Sequence, residues 1–145
     1  FHRSIPLKIL LVEHDPSDVI RARKAIEACK QKTEIYVVHD GIKAKQFLRN
    51  KKGTNKFSRP DIILTALKLP KLDGMTLLKE VKRDKDLKDV PVIILTNSIE
   101  VGDMLRCYKA HASGFIGKSV DDGEFREKIE MTIAYWSDSV VLPSM

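Results

Sequence analysis

The stretch Pro60–Gly74, PDIILTALKLPKLDG, decides the fold. It opens with a short apolar run, Ile62-Ile63-Leu64, and passes through Ala66-Leu67-Lys68 to Pro70 and the pair Asp73-Gly74. A run this brief and unbroken suits a strand covered on both faces, as in a parallel sheet. Asp73 reads as the N-cap of a following helix whose apolar positions are Met75, Leu78 and Val81.

The same unit recurs on either side. Ile9–Val12, Ile35–Val38, Val92–Leu95 and Phe115-Ile116 are further apolar runs. Helical periods separate them. Val19, Ala22, Ile26 and Cys29 follow Asp15 and Pro16, a cap and a first turn; Ala44, Phe47 and Leu48 mark the second helix. Val101, Met104, Leu105 and Tyr108 mark the fourth, with Gly102 weakening its first turn by up to ~1 kcal/mol. Phe125, Ile129, Ile133 and Trp136 mark the fifth.

Strand and helix alternate five times, and right-handed crossovers then give an α/β domain: a doubly wound parallel five-stranded sheet with helices on both faces. At 145 residues the chain suits one such domain. We expect it to cover residues 7–137, with an N-terminal extension or expression scar at 1–6, a tail at 138–145 and a loop from Asn50 to Arg59.

Composition excludes other classes. A 43% hydrophobic and 32% charged chain is neither disordered nor fibrous, and no apolar run approaches the length of a membrane span. Cys29 and Cys107 match no metal-ligand spacing and read as ordinary thiols in a reducing cytoplasm. The net charge is +6, and between Gly41 and Pro60 lie Lys43, Lys45, Arg49, Lys51, Lys52, Lys56 and Arg59 with no acid. That patch reads as a solvated face, or alternatively as a polyanion or nucleic-acid surface. Its two aromatics are Phe47, which belongs to the apolar stripe of the second helix, and Phe57, too few for a series of base-stacking platforms, so nucleic acid is not the expected partner.

In open α/β sheets the site lies beyond the carboxyl ends of the strands. Glu13-His14-Asp15, Ala66-Leu67-Lys68, Thr96-Asn97 and Lys118-Ser119 occupy those ends. No glycine-rich phosphate loop follows the first strand, which removes a dinucleotide or P-loop reading.

Those four places are where the chain resembles the response-regulator receiver family of two-component signalling. The motifs are Ile9–Glu13 with Pro16-Ser17-Asp18, Asp40-Gly41, Pro60–Pro70 with Asp73-Gly74, Pro91–Thr96 and Ala112–Lys118, in order and at matching spacings. Tyr135-Trp136 with Val140–Pro143 is similar to the small stand-alone regulators of phytochrome-type sensor kinases.

The resemblance implies a flavodoxin-like strand order 2-1-3-4-5. It also implies a chemistry in which two acids and a third-strand aspartate hold Mg²⁺, that aspartate takes a phosphoryl group, and a hydroxyl residue and a lysine bind its oxygens. Glu13, Thr96, Lys118 and the aromatic switch residue Phe115 match their positions. His14 stands at the second acid, with Asp15 beside it, and Ser119 stands where proline is usual. The nucleophile position is Ala66, whose methyl group can neither attack phosphorus nor bind metal.

No neighbour replaces it. Thr65 should face away from the pocket, Asp61 lies at the wrong end of its strand, and Asp73 caps a helix. His14 reads as a pocket histidine hydrogen-bonded to a neighbour rather than a transition-metal ligand. Lys118 is either a phosphate clamp or an ion pair with Glu13 or Asp15, and both readings stand. Phe115 and Trp136 read as core before switch or interface.

The expectation is a non-enzymatic, phosphorylation-independent signalling module with no cofactor. Mg²⁺ binding should be weak or absent, with Glu13 and Asp15 as poor ligands. Its partner would be a protein such as a sensor histidine kinase or a downstream effector, or a second copy through the fourth-helix, fifth-strand, fifth-helix face. The alternative, an ordinary receiver carrying an engineered Asp-to-Ala change at Ala66, leaves His14 and Ser119 without a reason.

Overall fold

The computed structural model describes residues 5–49, 59–97, 100–118, 121–139 and 142. Five parallel strands, β1 (Leu7–Val12), β2 (Thr33–Val38), β3 (Ile62–Ala66), β4 (Val92–Thr96) and β5 (Gly114–Gly117), pair in the order β2-β1-β3-β4-β5. Helices α1 (Pro16–Glu27), α2 (Gly41–Arg49), α3 (Gly74–Arg83), α4 (Val101–Lys109) and α5 (Asp122–Ala134) connect and follow them. The α/β fold and the strand order are those expected.

Two apolar layers sandwich the sheet, and side chains alternate between them as the strand repeat requires. Leu10, Val12, Ile63, Val92 and Ile94 meet α2, α3 and α4 through Ala44, Phe47, Leu77, Leu78, Val81 and Cys107. Leu7, Ile9, Leu11, Leu64 and Leu95 meet α1 and α5 through Ala22, Ile26, Phe125, Ile129 and Ile133. Leu10 and Leu11 are both fully buried although they face opposite ways, which explains the unbroken apolar runs.

The edge strand β2 departs from that pattern. It has one hydrogen-bonded neighbour, so its residues alternate between half-buried and exposed, and Tyr36 is exposed beside the Phe47 ring at 4.4 Å. Asp61 sits at the opposite edge of the sheet from the expected site. It exchanges hydrogen bonds with Lys8, its Oδ2 accepting from the Lys8 N–H at 2.9 Å and its own N–H donating to the Lys8 carbonyl at 2.8 Å. It ties the start of β3 to β1.

Caps define where helices begin. Asp15 accepts from the N–H groups of Ser17 and Asp18, and Asp73 accepts from that of Thr76 at 2.9 Å. Replacing Asp73 with alanine orphans the Thr76 N–H at the start of α3. We expect a loss of about 1 kcal/mol in urea unfolding, with the m-value unchanged.

Helix α4 corrects the expected pattern. Of the four positions read as its apolar face, Val101, Leu105 and Tyr108 are exposed (63%, 51% and 45%), and Cys107 is the residue that is fully buried. The periodicity was real, but it marks an outward stripe. Glu100, the N-cap, makes no side-chain cap bond.

Helix α5 also ends before Trp136. The chain widens into a π-turn, Tyr135–Ser139, in which Ser137 is buried and Asp138 accepts from Gln31 Nε2 at 2.8 Å. Trp136 and Leu142 pack against the α1–α5 layer. Cys29 falls just after α1; its thiol donates to the Ala25 carbonyl and burial pushes its pKa up to about 11, so it is an unreactive thiol at neutral pH.

The basic patch is dispersed. Lys45 pairs with Glu80 at 3.2 Å, Arg59 reaches the Asp86 carbonyl at 3.4 Å, and Lys43 and Arg49 are exposed. Lys51, Lys52 and Lys56 lie outside the described residues, as does the expected loop from residue 50 to 58.

Candidate functional site

Strands β1 and β3 lie side by side, yet their connections run to opposite flanks of the sheet, so a crevice opens where their carboxyl ends diverge. A cavity of about 210 Å³ fills that crevice, lined by Glu13, His14, Asp15, Ala66, Thr96 and Lys118 among others. Six expected residues are thus brought together from four strand ends. The seventh, Ser119, lies outside the described residues.

Lys118 dominates the pocket. Leaving β5, it turns inward, its N–H donating to the Thr96 carbonyl at 2.6 Å, and its side chain is almost wholly buried. The ammonium donates to Glu13 Oε2 at 2.9 Å and to Asp18 Oδ2 at 3.0 Å. Burial pushes the Glu13 carboxyl above its usual range, and the hydrogen bond and charge of Lys118 act against that shift.

Of the two ion-pair partners expected for Lys118, Glu13 is one and Asp15 is not. Asp15 is drawn to the helix instead, its Oδ1 accepting from the Ser17 N–H at 2.8 Å and the Ser17 hydroxyl at 2.7 Å. Those bonds hold its carboxyl below the usual range. Asp18, one turn further along α1, takes the place beside the lysine.

Asp18 carries a role that the sequence reading did not assign, although it stood in the quoted Pro16-Ser17-Asp18 motif. Arg21 is a second such residue. Its guanidinium lies 4.4 Å over the Phe125 ring, donates to Asp122 Oδ1 at 2.7 Å and to the Lys118 carbonyl, and so anchors the turn that delivers Lys118. The usable signal was spacing: Asp18 and Arg21 lie three apart on one helix face, directly above the end of β1.

Ala66 is 2% exposed and ends β3 with a methyl group. Thr65 does not line the cavity; its hydroxyl donates to the Ala66 carbonyl at 3.0 Å. Thr96 is buried at the pocket wall. His14 corrects an expectation: it is exposed at the mouth of the pocket, and its side chain forms no hydrogen bond to a described residue. Phe115 is half-buried against the α2–α3–α4 layer.

A Mg²⁺-type ion needs several free hard oxygens in one shell. Here Glu13 and Asp18 are both engaged by Lys118, Asp15 caps α1, and Ala66 offers carbon. Among the described residues no group of three or more acids, histidines and cysteines could hold a metal ion. Among the described residues, the free oxygens that such an ion needs are therefore few.

An open parallel sheet with a polar pocket at its switch point, closed by a lysine from the last strand, is the architecture of a signalling receiver. The profile of the response regulator receiver domain family matches residues 9–130, and the chain belongs to that family. It is 31% identical over 139 residues to the response regulator Rcp1 of Synechocystis sp., covering 96% of this chain and 95% of that protein. The phosphorylated cyanobacterial phytochrome response regulator RcpA superposes with a TM-score of 0.88 at 34% identity, covering 97% of this chain and 100% of that one. The Mn²⁺-bound form of Rcp1 superposes with a TM-score of 0.85 at 32% identity, covering 96% and 100%. No described helix is long and apolar enough to cross a membrane.

Proposed function

We propose that this protein is an atypical single-domain receiver that signals by protein contact without accepting a phosphoryl group. The observation that carries the reading is the buried Lys118–Glu13–Asp18 cluster facing the methyl group of Ala66. A receiver carrying out phosphotransfer needs a carboxylate nucleophile, a bound divalent ion and a lysine free to meet the incoming oxygens. Here the nucleophile position is the methyl group of Ala66, and Lys118 is already engaged by Glu13 and Asp18.

The consequence is energetic. Moving a two-state protein from 1:99 to 99:1 takes about 5.5 kcal/mol of differential binding. Without a covalent phosphoryl group that difference has to come from a partner. The outward stripe of Val101, Leu105 and Tyr108 on α4 supports a partner face there, for a sensor kinase, an effector or a second copy. Coverage of nearly the whole length of Rcp1 and RcpA supports a single-domain regulator.

The test is an amide spectrum of the labelled protein, recorded with and without Mg²⁺ and beryllofluoride, an acyl-phosphate mimic. We expect no movement of the Thr96, Phe115 and α4 resonances. A concerted shift of α4 would overturn the proposal.

A further inference from the structure

We propose that the groove between α2 and α3, at the edge of the sheet away from the receiver pocket, docks an acidic peptide segment bearing one aliphatic side chain. The groove encloses about 340 Å³. Leu48, Leu77 and Leu87 form an apolar floor and Arg49 and Arg83 stand on its rim. The volume accepts a side chain of leucine size with part of its backbone.

Charge selects the occupant. Helices α2 and α3 carry six cations, Lys43, Lys45, Arg49, Lys79, Lys82 and Arg83, against Glu80 and the capping Asp84, both of which line the groove with Lys45, Arg49 and Arg83. On the other face of the sheet α5 carries four acids, Asp122, Glu124, Glu127 and Glu130, against Arg126 and Lys128. The pair of helices that frames the groove is therefore net basic, whereas α5 is net acidic. Arg49 has no side-chain partner among the described residues, and Arg83 uses only its Nε, on the Lys79 carbonyl at 3.3 Å. Both guanidinium forks are open to carboxylates, which they bind in a bidentate manner.

Glu80 argues for a peptide rather than a nucleic acid. Its Oε1 accepts from Lys45 at 3.2 Å, and the carboxylate lines the groove. A phosphodiester backbone would bring a negative charge against it at every step, whereas a peptide can set its uncharged leucine beside it. No aromatic side chain lines the groove for base stacking.

The experiment is fluorescence anisotropy on the full chain, using a labelled synthetic peptide of aspartates and glutamates around one leucine. Exposed Arg49 and Arg83 are changed together to glutamine, and Arg23 and Arg126 of the opposite layer serve as a control of equal charge loss. We expect the groove variant to weaken binding by about tenfold or more and the control by less than about twofold. Replacing the peptide leucine with serine should also weaken it. Equal losses in the two variants would overturn the proposal, as would equal affinity for the leucine-free peptide or for single-stranded DNA.

Discussion

Replacing Lys118 with methionine should destabilise the protein by about 3–5 kcal/mol at neutral pH, the largest single effect we expect, because it leaves the buried Glu13 and the partly buried Asp18 carboxylates without their counter-charge. Glu13 and Asp18 approach that ammonium at 2.9 and 3.0 Å, and the Glu13 and Lys118 side chains are 3% and 7% exposed. The pH dependence follows from Glu13, whose carboxyl burial already lifts above its usual value. A carboxyl raised in the folded state favours folding below its unfolded pKa, and that contribution is lost as pH rises through the folded pKa. Loss of the lysine raises it further. The deficit of the variant should therefore shrink as pH falls from neutral to mildly acidic and Glu13 takes up its proton. Adding Glu13→Gln to the variant should recover part of the loss at neutral pH. Urea unfolding at both pH values reads all three results, and a neutral Lys118→Met would contradict the role assigned to the cluster.

The second large effect is at Gly74, where α3 starts against the end of β3. A Cβ there would lie 2.1 Å from the Ala66 carbonyl oxygen and 2.9 Å from the Leu67 Cα, both backbone atoms that cannot rotate away. The Gly74 N–H also donates to the Leu67 carbonyl at 2.7 Å, so helix and strand end are tied at the closest approach. Gly74→Ala should push α3 outward at a cost of about 1–3 kcal/mol, the range for overpacking a close contact, and should shift the amide signals of Ala66 and Leu67. An alanine variant with unchanged urea midpoint would contradict the packing described. This contact also accounts for the Asp73-Gly74 pair that follows the third strand: the aspartate caps the helix and the glycine lets it approach.

The architecture was legible because two periods alternate along the chain. Runs such as Ile62–Leu64, covered on both faces, and helix stripes such as Phe125, Ile129 and Ile133 are determined by burial, which sequence records directly. The same logic failed at α4. An apolar stripe reports a face that avoids water, and Val101, Leu105 and Tyr108 show that such a face can point away from the sheet. At the pocket, strand ends located Glu13, Ala66, Thr96 and Lys118, since topology fixes where strands stop. Sequence did not settle which carboxylate meets Lys118. Asp15 and Asp18 are equal in charge and nearly so in position, and the choice depends on the α1 N-terminus, whose free N–H groups capture Asp15 and leave Asp18 to the lysine.

The central claim is that this receiver takes up no phosphoryl group, and intact mass spectrometry tests it most directly. The unaltered chain and an Ala66→Asp variant are incubated with Mg²⁺ and acetyl phosphate and weighed. We expect the unaltered chain to keep its mass under conditions in which a phospho-accepting receiver gains one phosphoryl group. The variant shows whether the missing carboxylate is the main obstacle or whether His14 and the Lys118 cluster block the reaction as well. A phosphoryl-sized gain on the unaltered chain, labile to hydroxylamine as an acyl phosphate is, would contradict the account.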